Sequence, residues 1–108
     1  MANTFKLKTK ANVGVTTVGI YTAPAATTTV VIGITMANTS GSGVNVGVGI
    51  TRASAEDIKL HKNAPIPQGS SLEFMAGNKI VLETTDTLTV DSDTNNSVDT
   101  ALTIMEIT

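Results

Sequence analysis

The sequence predicts an all-β chain, a single-domain β-sandwich, jelly-roll-like, of about eight short antiparallel strands. Three observations carry this. Nineteen Thr, eleven Val and nine Ile make more than a third of the 108 residues β-branched. Branching at Cβ restricts χ1 and suits a pleated sheet. Good helix formers never gather into a long run. Turn residues recur about every ten residues, the spacing of sandwiches and jelly rolls.

The elements follow in order. Thr4–Lys10 alternates Phe5, Leu7 and Thr9 with Lys6, Lys8 and Lys10, the period of a half-buried strand, or of an arm that becomes a strand on assembly. Val13–Thr22 is a second strand, stopped at Pro24 because the residue before proline is pushed to extended geometry. Thr28–Ala37 is the most apolar run and should be central, with Gly33 marking a bulge or a close backbone approach. Asn38–Gly43 is a turn. Val44–Thr51 sets Val44, Val46, Val48 and Ile50 on one face and Asn45, Gly47, Gly49 and Thr51 on the other. Such a nearly bare face invites packing directly on the backbone. Ala53–Asp57 connects to a strand at Ile58–Lys62. Ala64–Gly69 is a rigid extended loop, since Pro65 and Pro67 cannot donate to a ladder. Ser71–Met75 is a short strand and Ala76-Gly77-Asn78 a turn. Lys79–Glu83 and Thr87–Val90 are strands joined through Thr84-Thr85-Asp86. Asp91–Ser97 is a polar turn, and Val98–Ile107 closes the domain as a second central strand. Parity within the strands predicts a core of Val30, Ile32, Ile34, Val46, Val48, Ile50, Ile80, Leu82, Leu88, Val90, Leu102 and Ile104.

Length and composition bound the organisation and the chemistry. A chain of this length makes one domain. Residues 1–10 read as a basic N-terminal arm or first strand and residues 11–108 as the sandwich. No run of about 20 apolar residues offers a transmembrane helix, and the N-terminus lacks the layout of a signal peptide. The absence of cysteine excludes a disulfide scaffold, a thiolate zinc site and a cysteine nucleophile. With 3 % aromatic residues and a net charge of −2, the chain has neither the stacking platforms nor the charge of a nucleic-acid binder.

The charge is unevenly spread. Residues 1–55 hold Lys6, Lys8, Lys10 and Arg52 and no acid. Residues 56–108 hold all nine acids against Lys59, Lys62 and Lys79. Either the fold interleaves the halves, or the subunit is bipolar and docks a basic arm on an acidic neighbour.

No catalytic constellation emerges. His61, the single histidine, alternates with the apolar stripe of Ile58 and Leu60 and should face solvent with Lys59. Gly41–Gly47 breaks the phosphate-binding pattern at Val46 and leads into a strand, so no helix N-terminus is there to cradle a phosphate. Asp91-Ser92-Asp93-Thr94-Asn95 copies the opening of a calcium loop. Asn96 replaces its glycine and Leu102 its bidentate glutamate, which excludes a calcium hand. A loose surface cation site on Asp91, Asp93 and Asp99 is the remaining weak metal candidate. No cofactor is implied.

Several stretches are similar to small structural proteins of tailed-bacteriophage virions. They are Ala11–Gly14, Ile20–Pro24, Val31–Ile34, Ala64–Leu72, Gly77–Val90 and Ile104–Thr108. Thr85 stands where such proteins often carry glycine in a Gly-Asp turn, which sets the tight turn in question but not the strand pair. The resemblance spans nearly the whole chain and its motifs are structural. It implies a non-enzymatic virion component, made in the host cytoplasm. The first function it implies is a capsid decoration (cement) protein bridging major capsid subunits. The second is a tail or fibre accessory. A glycan-binding attachment module is less favoured, because the chain has no Trp. A jelly-roll metalloenzyme of the cupin type fails on its single histidine. The partners implied are the major capsid protein or tail proteins and further copies of the chain, a trimer favoured, with neither nucleic acid nor membrane. The residues assigned to assembly contacts are Phe5, Lys6, Leu7, Lys8 and Lys10, with Asn45, Gly47 and Gly49.

Overall fold

The computed structural model describes residues 3–52, 55–74 and 79–108. Its nine strands are β1 (Asn3–Val13), β2 (Val18–Thr22), β3 (Thr28–Asn38), β4 (Val44–Thr51), β5 (Ile58–Ile66), β6 (Ser71–Phe74), β7 (Ile80–Leu82), β8 (Thr87–Ser92) and β9 (Val98–Ile107). One sheet runs β1-β9-β3-β6, with β7 also paired to β3; the other runs β2-β8-β4-β5. All the pairings are antiparallel. The chain crosses repeatedly from one sheet to the other, giving the two interlocked Greek keys of a jelly roll.

The core lies between the sheets. Val31, Ile34 and Met36 of β3, with Leu102 and Ile104 of β9, meet Val46, Val48 and Ile50 of β4 and Leu88 and Val90 of β8. Fully burying one such side chain contributes roughly 1.5–3 kcal/mol. The two strands expected to be central, β3 and β9, are the inner strands of their sheet.

The structure corrects the sequence reading in several places. The register of β3 against β9 shifts between Val31 and Gly33, the bulge anticipated at Gly33. It flips the parity of the strand, so Val31 joins Ile34 inside while Val30 and Ile32 are only half-buried. Ile80, placed in the core, is also half-buried, because β7 is short and lies on the rim of its sheet.

The second strand begins at Val18, and Val13 ends β1 instead. The backbone turns at Gly14, whose carbonyl accepts Ser92 N at 2.9 Å. β5 continues through Pro65 to Ile66 where a loop was expected; as an edge strand it needs ladder bonds on one side only. β8 likewise continues through Asp91 and Ser92.

β7 and β8 do not pair. They lie in opposite sheets, and the turn between them is a corner, with Thr85 N on Ala23 O and Ala23 N on Asp86 O, both 2.9 Å. Thr85 makes that tight turn with φ of 71°, the left-handed region that favours glycine. Met75 and the Ala76-Gly77-Asn78 turn, with Ala53 and Ser54 of the expected connection, lie outside the described residues.

Candidate assembly surface

β1 pairs with β9 from Asn3↔Ile107 to Lys10↔Thr100 without a break in register. Residues 3–13 are therefore a strand of the sheet. Among the described residues, its other edge is unpaired. A long open edge is a ready template for another chain, and lysines are a common way of restricting what adds there.

Its two faces run opposite to the usual order. Lys6, Lys8 and Lys10 pair with Ile104, Leu102 and Thr100, residues that point into the sandwich and are buried. Phe5 and Leu7 therefore point outward and are 69 % and 64 % exposed. The lysines tolerate the inner side because β1 lies at the margin of its sheet, opposite the short margin strand β2. A lysine stem can cover apolar surface there while its ammonium finds water or a polar partner.

Lys6 ends in a buried polar cluster. Its Nζ lies 2.9 Å from Glu106 Oε1. Tyr21 donates its hydroxyl hydrogen to Glu106 Oε2 at 2.6 Å, and its oxygen lies 2.7 Å from Thr29 Oγ1. Burial, and then the contact with Glu106, push the Tyr21 phenol up to about 12. The Tyr21 hydrogen bond, followed by the one from Lys6, holds the Glu106 carboxyl below the usual carboxylate range. Among the described residues, Lys8 and Lys10 form no ion pair.

The glycine-rich face is filled from within. A Cβ on Gly47 would lie 2.5 Å from Asp91 Oδ1, and one on Gly49 would lie 2.8 Å from Ile58 O and 3.3 Å from Thr89 Oγ1. Both glycines are buried inside one chain and are closed to a partner, which corrects their assignment as assembly contacts; Asn45 is exposed. The backbone there is approached closely, as the bare face implied, by groups of the same subunit.

The acidic candidates do not converge. Asp91 Oδ2 accepts Thr17 Oγ1 at 2.9 Å, Asp93 Oδ1 accepts Asn45 N at 3.1 Å, and Asp99 Oδ1 accepts Asn12 N at 3.0 Å. Asp93 and Asp99 each hold a separate backbone N–H, and Asp91 holds a threonine hydroxyl. The described residues hold no cluster of three metal-ligating side chains, so the candidate cation site is not assembled. His61 pairs with Val48 across the β4–β5 ladder and is half-buried, not fully solvent-facing.

Two polar clusters escaped the sequence reading. One is Tyr21–Glu106–Lys6. The other is Arg52, whose Nε lies 3.2 Å from the buried Asp86 and whose Nη2 contacts Glu83. Asp86 Oδ2 also accepts Glu83 N at 2.9 Å, which closes the corner. Both clusters join the basic first half of the chain to the acidic second half, so the fold interleaves the two. Their partners lie 31 to 100 positions apart, and no local pattern could have announced them.

No protein-family model matches the sequence, and no curated protein matches it. The fold has close counterparts among solved structures. One is a chain of the Bacillus endospore appendages, a family of disulfide-linked pili: TM-score 0.60, 13 % identity, covering 99 % of this chain and 87 % of that one. Another belongs to the acid-stable capsid of Helicobacter pylori bacteriophage KHP30: TM-score 0.58, 9 % identity, covering 98 % and 87 %. At these identities the likeness is one of fold.

Proposed function

We propose that this chain is a non-enzymatic structural subunit of a tailed-bacteriophage virion, a decoration or cement protein on the head surface. The observation that carries the reading is β1, an eleven-residue strand that, among the described residues, has an open edge and two lysines without an ion pair, together with two exposed apolar side chains. That edge docks on the acidic outer surface of the major capsid protein. Complementary charge steers such docking and selects its register. A fold shared along its whole length with a phage capsid chain supports the reading, and jelly rolls recur in viral capsids. Fold alone does not assign function, so the weight rests on β1.

The second reading is a tail or fibre accessory, favoured by the equal likeness to a pilus chain. A cysteine-free subunit would join such a fibre without disulfides.

Quantifying the protein on a stained gel of purified particles separates the two. A head protein is present in hundreds of copies, because capsid symmetry multiplies every surface position; a tail accessory is present in few. Re-binding to particles stripped of the protein tests the surface. Lys8→Glu with Lys10→Glu should abolish re-binding while the variant stays folded. Undiminished re-binding would remove β1 as the docking edge.

A further inference from the structure

We infer that two copies of this chain meet face to face through the outer side of the five-stranded sheet, about a two-fold axis. This rests on the structural-subunit reading and names one of its partners, a second copy.

The outer face carries few of the charges a solvated sheet face normally bears, and its polar positions are mostly threonines. Between Asn3 and Ala11 on β1, Asp99 and Ile107 on β9, and Thr28 and Ala37 on β3, the outward positions hold no basic residue and a single acid, Asp99. Phe5 pairs with Met105, Met105 with Val30, and Val30 with Val81. These four side chains form one apolar ridge across four strands, ending in residues 69 % and 54 % exposed. An exposed apolar patch of this kind marks an interaction site.

The same face carries a groove. A depression of about 360 Å³ opens over small residues, Thr9, Ala11, Thr35 and Ala101, with Lys10 and Asp99 at its rim. Between ridge and groove runs the row Leu7, Thr103 and Gly33, with open space above Gly33. A two-fold axis through that middle row exchanges the ridge row with the first row of the groove. The ridge of each copy then seats in the groove of the other, as an isologous contact requires. Two acids lie on the face, Asp99 and, on β6 beside Thr35, Glu73; the two-fold axis carries them to opposite sides of the middle row in the two copies, so like charges are not set against each other.

The area fits a modest dimer. Four strand positions about 4.8 Å apart, along roughly 36 Å of strand, give about 700 Å² per copy. A standard interface buries about 800 Å² per partner. The expected contact is therefore weak and concentration-dependent.

Sedimentation equilibrium of the full chain, from roughly 1 to 500 µM, reads this equilibrium by mass action. The wild type should pass from monomer to dimer. Phe5→Glu removes the exposed end of the ridge and Ala101→Trp fills the groove. Each should raise the dissociation constant at least about tenfold, with an unchanged circular dichroism spectrum. Lys8→Glu should leave the dimer intact. A monomer at every concentration, a trimer, or a dimer that tolerates both substitutions overturns the inference. So does a monomeric wild type whose particle binding is lost in Phe5→Glu, since the face then docks on the particle itself. A monomer that still decorates particles sinks the dimer and leaves the head-surface reading standing. A dimer that binds no particle does the reverse.

Discussion

At the scale of single residues, the polar groups inside the sandwich set the sensitivity to pH and sequence. Tyr21 keeps its proton in the folded chain up to about pH 12, against an ordinary value of 10.0. The folded state therefore gains from this group at all pH below about 10, and loses that gain as pH rises from about 10 to 12. Tyr21→Phe should flatten this alkaline fall relative to the wild type in thermal melts, and identical alkaline limbs would count against it. Glu106 runs the other way. Its lowered value contributes stability above the ordinary carboxylate range, which is lost as pH falls through the folded value. Thr100 is a different case. It is buried, and its hydroxyl finds no hydrogen-bond partner among the described residues. Removing an unsatisfied buried polar group with an isostere is stabilising, so Thr100→Val should raise stability by about 1 kcal/mol, measured by urea unfolding. A loss would indicate a partner for the hydroxyl.

At the scale of elements, β1 decides whether the domain and its assembly contact can be separated. It covers the edge of β9 in unbroken register from Asn3 to Lys10, and Lys6 is tied to Glu106. Removing residues 1–10 would make β9, an apolar inner strand, into a bare edge prone to pairing with other chains. The truncated chain should melt far lower than the full one and aggregate, as seen by light scattering. A soluble monomer with an unchanged melting temperature would make β1 a dispensable arm. The bulge in β3 shows the same dependence on context. The sequence marked Gly33 as irregular, yet the flip of parity that turns Val30 and Ile32 outward follows only from the pairing with β9. That shift also creates the apolar outer ridge.

At the scale of the whole molecule, the charge asymmetry of the sequence is absorbed by topology. The basic first strand lies against the acidic last one, and Arg52 reaches Glu83 and Asp86 across the fold. Lys8 and Lys10, at the edge, form no ion pair among the described residues. Screening of exposed charges acts within about 10 Å at 0.1 M salt. Raising salt from about 0.1 to 0.5 M should therefore weaken particle binding while shifting the melting temperature little, because the core is apolar. Binding that is indifferent to salt would transfer the docking energy to Phe5 and Leu7.

The amino-acid sequence determined the class, the number of strands and most of the core. β-Branched excess and period-two alternation are local properties, and Val44–Thr51 and Val98–Ile107 coincide with β4 and β9. It also singled out Phe5, Leu7 and the three lysines as unusual together. Which side of β1 faces inward was decided only by tertiary structure. Alternation says that two faces differ, but a marginal strand can turn its lysines inward when their stems pack and their charges reach past the rim. The same holds for Gly47 and Gly49, whose bare face was legible but whose cover joins Ile58 of the next strand to Asp91 and Thr89, some forty positions away. It holds for Tyr21 and Glu106, 85 positions apart, which meet because β2, on the margin of one sheet, faces β9 of the other across the sandwich.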